Sequence, residues 1–181
     1  MRKIASIICL CLLVMTSTGC KKAKLRVQLE EIMSSEIVLP DRVTCVSRGE
    51  IFQMPDSLRN VPKLIVYVDS SECTTCRIAH ISQYDQVFRI SEEKGTFDVV
   101  LLLYNIDLSG IPLTRYLSDL EIGYPVYVDD ENVFRSLNPV VPDDGRLHTF
   151  LIGTNGTPLC VGDPSTSEQM LDVFLRALDQ L

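Results

Sequence analysis

The sequence predicts an α/β domain, a mixed sheet flanked by helices on both faces. Apolar runs such as Leu64-Ile65-Val66-Tyr67-Val68 are continuous rather than alternating, as in strands covered on both sides. These runs alternate with segments whose apolar residues recur every three or four positions, the mark of amphipathic helices. The chain of 181 residues is 46% apolar and has no low-complexity stretch, enough for one sizeable core. Its 17 basic and 24 acidic side chains give a formal charge of −7, which argues against non-specific nucleic-acid binding, because that needs a cationic surface.

The first segment is a targeting signal by its pattern. Arg2 and Lys3 precede an apolar run from Ile4 to Met15, and Ser17-Thr18-Gly19 follow it. The run is too short to span roughly 30 Å of hydrocarbon. Its end at Cys20 resembles the lipobox of bacterial lipoproteins, with Ser17 where that family usually has Leu. The resemblance implies cleavage before Cys20 and a diacylglycerol on its thiol. The organisation expected is a signal peptide at 1–19, a lipidated tether with a short helix at 20–41, and the folded domain at 42–181. Loss of Arg2 and Lys3 with the signal takes the charge from −7 to −9. No second long apolar run follows, so no membrane-spanning helix is expected.

Leu25, Leu29, Ile32 and Met33 have helical spacing before Pro40, predicting a short amphipathic helix packed on the domain or near lipid. Val43, Cys45 and Ile51 around Gly49 suggest a strand pair. The run 64–68 is a central strand, and Ile78, Ile81, Tyr84 and Phe88 mark the helix after it. Phe97 to Tyr104 is a strand after Gly95. Pro112 opens a helix bearing Leu113, Tyr116, Leu117 and Leu120. Tyr124 to Val128 is a strand and 131–137 a short helix. The segments 147–152 and 158–161 flank Asn155-Gly156, a hairpin signal. Ser165 with Glu168 forms a capping box for a last helix with Met170, Val173, Phe174, Ala177, Leu178 and Leu181 on its apolar face.

Chemistry concentrates in Cys73-Thr74-Thr75-Cys76, between the end of a buried strand and the start of a helix. Backbone N–H groups at a first helical turn stabilise a thiolate, so Cys73 is the candidate nucleophile. Cys76, one turn on, is placed to resolve a mixed disulfide. A zinc site of this spacing needs a second ligand pair, and no second Cys-x-x-Cys or His-x-x-His occurs. A purely structural disulfide is the competing reading, although so short a span constrains the unfolded chain little.

LIVYVDSSECTTCR, YPVYVDDENVF and HTFLIGTNGTPLCVGDP together resemble the thioredoxin superfamily, and within it the TlpA/ResA-type envelope thioredoxins, over about residues 43–181. The resemblance implies a thioredoxin-like mixed sheet, dithiol–disulfide exchange through Cys73 and Cys76, and no cofactor or metal. It further implies protein thiols or disulfides of the cell envelope as partners, with the membrane engaged through the lipid on Cys20 in a periplasm-facing or cell-surface location. The Pro-x-x-x-Thr-x-x-Cys motif of peroxiredoxins is absent.

Two positions depart from that pattern. Leu147 stands where the family has a cis proline, which predicts a trans peptide, since a non-proline cis bond costs about 2.5–4 kcal/mol. Tyr67 stands where thioredoxins bury an acid, leaving Asp69 or Glu72 as substitutes. Glu72, next to Cys73, would raise the thiol pKa. An alternative function uses Cys73, Cys76 and His148 as a Cu(I) metallochaperone, or as a binding module without turnover. His80 reads as a solvated helical residue, and Arg77 as a partner for thiolate charge or a solvated one. Cys45 and Cys160 sit in apolar strands and read as buried free thiols.

Overall fold

The computed structural model describes residues 22–69, 74–104 and 110–181. The signal segment lies outside these residues. The described part forms one seven-stranded sheet in the order β2-β1-β5-β4-β3-β6-β7. Its strands are β1 (Thr44–Ser47), β2 (Glu50–Gln53), β3 (Lys63–Val68), β4 (Asp98–Tyr104), β5 (Val126–Asp129), β6 (Thr149–Ile152) and β7 (Pro158–Val161). β3, β4 and β5 run parallel, and β1 and β6 pair antiparallel to β5 and β3. Hairpin partners β2 and β7 close the edges. The sheet is mixed, as the sequence predicts.

β3 is buried at all six positions, and its side chains alternate between two cores. Leu64, Val66 and Val68 face one core with Val99, Leu101 and Leu103 of β4. That face is covered by α2 (Thr74–Ala79), α3 (Asp85–Lys94), α4 (Leu113–Asp119) and α6 (Glu168–Leu178). Ile65 and Tyr67 face the other core, covered by α1 (residues 22–33) and α5 (Val133–Leu137). The continuous apolar run thus serves two layers of helices.

α1 packs through Ile32, which is fully buried, with Leu25 and Leu29 partly covered against the same core. The chain after it is also fixed. Ile37 N donates to Gly156 O at 2.9 Å, and Asn138 holds Val38 by both its backbone groups. Gly156, at φ +78°, makes this approach possible, because a Cβ there would lie 2.7 Å from Ile37 O.

The structure differs from the sequence reading in several places. The segment predicted as one helix from Ile78 to Phe88 is α2, a 3₁₀ turn (Ile81–Tyr84) and then α3. Ile78, Ile81, Tyr84 and Val87 recur at strict intervals of three, which drift around an α-helix but stay aligned on a 3₁₀ turn. The last helix is capped by Ser167, whose Oγ accepts from Met170 N at 3.2 Å, not by Ser165. Ser165 is taken by Asp163, which accepts from its backbone N–H at 2.8 Å and from its hydroxyl at 2.6 Å. The predicted hairpin forms, with Gly156 at positive φ and Asn155 accepting from Thr157 N at 3.2 Å. β6 begins at Thr149, since Leu147 closes a 3₁₀ turn (Gly145–Leu147) held by Leu147 N donating to Asp144 O at 2.8 Å.

Candidate active site

Cys76 lies on α2, after the carboxyl end of the buried central strand β3. The residue is exposed, and its carbonyl accepts from His80 N at 3.1 Å. Its sulfur is disulfide-bonded. Cys45 and Cys160 are free, so neither is the partner. Cys20, Glu72 and Cys73 lie outside the described residues. His80 is exposed, as expected of a solvated residue.

Beneath the end of β3 sits a group that is only partly legible in the sequence. Tyr67 is 1% exposed, and its hydroxyl donates to Asn132 Oδ1 at 2.8 Å. Its ring lies 4.7 Å from Phe134 and 5.4 Å from His148, centroid to centroid. Burial, reinforced by the nearby Asp69 carboxylate, pushes the phenol up to about 12. It therefore stays protonated near neutral pH. Asn132 can meet it because the residue adopts the left-handed conformation at φ 54°, just before α5. Asp129 caps that helix from the end of β5, accepting from Val133 N at 2.9 Å and Phe134 N at 2.8 Å. Asn132 and Asp129 carried a sequence signal, the Asp-Asp-Glu-Asn run ahead of a short helix, but their partners are distant in the chain.

His148 is buried at 1% exposure, and its Nε2 donates to Pro142 O at 2.7 Å. That nitrogen is committed to the backbone. The proposed copper set includes Cys73 and so extends beyond the described residues. Among the described residues, no group of three His, Cys, Asp or Glu side chains is arranged to hold a metal. The His148 carbonyl accepts from Tyr67 N at 2.9 Å, extending the β3–β6 ladder past Thr149. No described peptide is cis, so the bond before Leu147 is trans, and Leu147 is 5% exposed.

No protein-family model matches the sequence. No curated protein sequence matches it. Solved structures do. The chain superposes with a TM-score of 0.51 on a protein assigned as the thiol:disulfide interchange protein DsbE of Chlorobium tepidum, at 18% identity, covering 80% of this chain and 98% of that one. Enterococcus faecalis AhpC gives a TM-score of 0.51 at 11% identity, covering 82% of this chain and 91% of that one.

The chain has the thioredoxin fold. In this thioredoxin-like sheet, β3 carries Tyr67 and leads toward the Cys-x-x-Cys segment, while β6 brings His148 beside it. The two remaining thiols are far from that role. Cys45 faces the core under α1 and α5, Cys160 the core under α6, so the sheet lies between them and no bridge can form. Burial raises both thiols, Cys45 to about 11, with a Tyr127 hydrogen bond acting in the opposite direction. A cleft of about 680 Å³ is lined by Phe52, Asp98 and Tyr124 at the other end of the parallel strands. It is not part of this site.

Proposed function

We propose that the chain is an envelope thiol–disulfide oxidoreductase, exchanging a Cys73/Cys76 dithiol with disulfides of other proteins and held at the membrane by a lipid on Cys20. The observation that carries the redox reading is an exposed, disulfide-bonded Cys76 on the helix that follows the central strand of a thioredoxin fold. Cys73 is its expected partner, since Cys45 and Cys160 are free and buried.

In the reducing direction, the Cys73 thiolate attacks one sulfur of the substrate disulfide. A Cys73–substrate bond forms, and the other substrate sulfur leaves as a thiolate. The Cys76 thiolate then attacks the Cys73 sulfur, closing the Cys73–Cys76 disulfide and releasing the second substrate thiolate. Two electrons pass to the substrate, and each released thiolate takes a proton from water. Oxidation of a substrate dithiol is the reverse sequence.

Cys76→Ser tests this reading. The variant keeps the attacking thiol and loses the resolving one, so mixed disulfides with envelope proteins should accumulate on non-reducing gels and vanish with reductant. Absence of such adducts, together with failure of the parent domain to exchange with a model protein disulfide, rejects the enzyme. Cys20→Ala should release the protein from membranes, and continued retention rejects the lipid anchor alone.

A further inference from the structure

We propose that the basic first half of α1 rests on an anionic lipid surface, so that the domain lies against the membrane instead of hanging from it. This rests on the lipidation of Cys20 proposed above.

Only Lys21 separates Cys20 from the first described residue of α1. An extended residue spans at most about 3.6 Å, so a lipid on Cys20 leaves α1 no distance from the headgroups. Nor is α1 a free arm. Ile32 is fully buried, Leu25 and Leu29 pack against the sheet, and the hydrogen bonds of Ile37 and Val38 fix the chain that follows. The helix and the domain therefore move together.

The charge order along α1 is the second observation. Lys22, Lys24 and Arg26 come first and are exposed, and Glu30 and Glu31 follow. The helix dipole favours the opposite order, acids at the amino end and bases at the carboxyl end. Arg26 and Glu30 do pair at 2.8 Å, with base before acid, the weaker orientation. Helix stability thus does not account for the pattern. At 100° per residue, Ala23 and Val27 lie opposite the buried stripe of Leu25, Leu29 and Ile32; in the first two turns Lys24 and Arg26 stand to either side of them, and the exposed Glu30 and Glu31 share that face one turn on. Val27 is 53% exposed. Only the first half of α1, with its small apolar centre between basic flanks and ahead of the two acids, suits an anionic headgroup boundary, and each basic residue there favours the bound posture about fivefold.

The posture has an end as well as a side. Lys24 and Gln28 border a groove of about 410 Å³ with Pro142, Asp143 and Arg146, on the loop that leads into Leu147 and His148. The acids of that loop are paired, Asp143 with Arg135 and Asp144 with Arg146, so they repel an anionic surface weakly. The candidate site is held near the bilayer, within reach of thiols on proteins that are themselves membrane-held.

The test uses the full lipidated chain, oxidised so that Cys76 is blocked, with the lipid on Cys20 verified by intact mass. Nitroxide labels are placed at Val27→Cys on α1 and, separately, at Glu92→Cys on α3, across the sheet. Each protein is reconstituted in phosphatidylcholine vesicles with and without phosphatidylglycerol. In the anionic vesicles the Val27 label should be relaxed mainly by membrane-dissolved oxygen and the Glu92 label by an aqueous nickel chelate. Lys22→Gln with Lys24→Gln should move the Val27 label toward the aqueous reagent, shifting the docked-to-undocked ratio about 25-fold. A lipidated protein whose two labels are equally aqueous overturns the posture alone. A chain without the lipid mass overturns the anchor and this posture together, and leaves the redox reading standing.

Discussion

Tyr67→Phe separates the structural from the chemical role of the residue standing where an acid would be expected. Phenylalanine keeps the ring against Phe134 and His148 and removes one hydrogen bond, the 2.8 Å contact to Asn132 Oδ1. Asn132 is half-buried, so water replaces the lost donor, and the expected loss is about 1 kcal/mol. With a urea slope of about 2 kcal/mol/M, the unfolding midpoint should fall by about 0.5 M. The phenol is an acid whose folded pKa, about 12, exceeds its unfolded value near 10. Its contribution is complete below about pH 10 and fades as pH rises toward 12, so the difference between parent and variant should shrink there. Since the hydroxyl stays protonated between about pH 6 and 9, it neither takes nor gives a proton at Cys76. Exchange with an insulin disulfide should stay within about twofold of the parent throughout that range. A tenfold fall in a variant that still folds, equal to about 1.4 kcal/mol on the barrier, would refute the argument and make the phenol part of the chemistry.

Other perturbations have equally definite outcomes. Asn138→Ala removes three hydrogen bonds, at 2.8 Å from Val38 N and at 2.8 and 2.7 Å to Val38 O and Phe134 O. About 3 kcal/mol should be lost, with hydrogen exchange rising first around Val38; a loss under about 0.5 kcal/mol contradicts the tie between α1 and the domain. Leu147→Pro replaces a buried side chain and deletes the N–H that donates to Asp144 O at 2.8 Å. It should lower stability by about 2–4 kcal/mol without raising the exchange rate, and a more stable or faster variant would mean the loop readily takes the proline form. Cys45, raised to about 11, favours its neutral form, so its contribution is full below about pH 9 and declines toward 11. Urea midpoints across that interval should fall less steeply in Cys45→Ala than in the parent.

The strands were legible because they obey one rule over short distances. A run buried on both faces, as from Leu64 to Val68, needs no knowledge of its neighbours to be recognised. The helix after it was harder, because spacings of three and four mix in Ile78, Ile81, Tyr84, Val87 and Phe88, and only packing shows which part is 3₁₀. The cap of the last helix is ambiguous in the sequence for a related reason. Ser165 and Ser167 both precede acids or amides, and the choice fell to Asp163, which captures Ser165 first. The Cys-x-x-Cys spacing singles out Cys76 in the sequence, while the Asn132 contact to Tyr67 is invisible there, since 65 residues separate them. The fit of α1 was half legible: its apolar stripe was plain, but not whether lipid or protein would cover it.

The placement of Cys45 and Cys160 on opposite faces of the sheet bears on how the chain, exported as proposed above, would mature. On the export and cleavage proposed above, four thiols besides Cys20 would enter an oxidising compartment, and four can pair completely in three ways. Once β1 has joined β5 and β7 has joined β6, two of the thiols are sealed in separate apolar layers, and their raised pKa values keep them poor nucleophiles. Strand assembly thereby edits oxidation. A chain that folds before it meets an oxidant reaches the correct pairing without an isomerase, whereas one oxidised early must reduce a wrong bridge before the sheet can close.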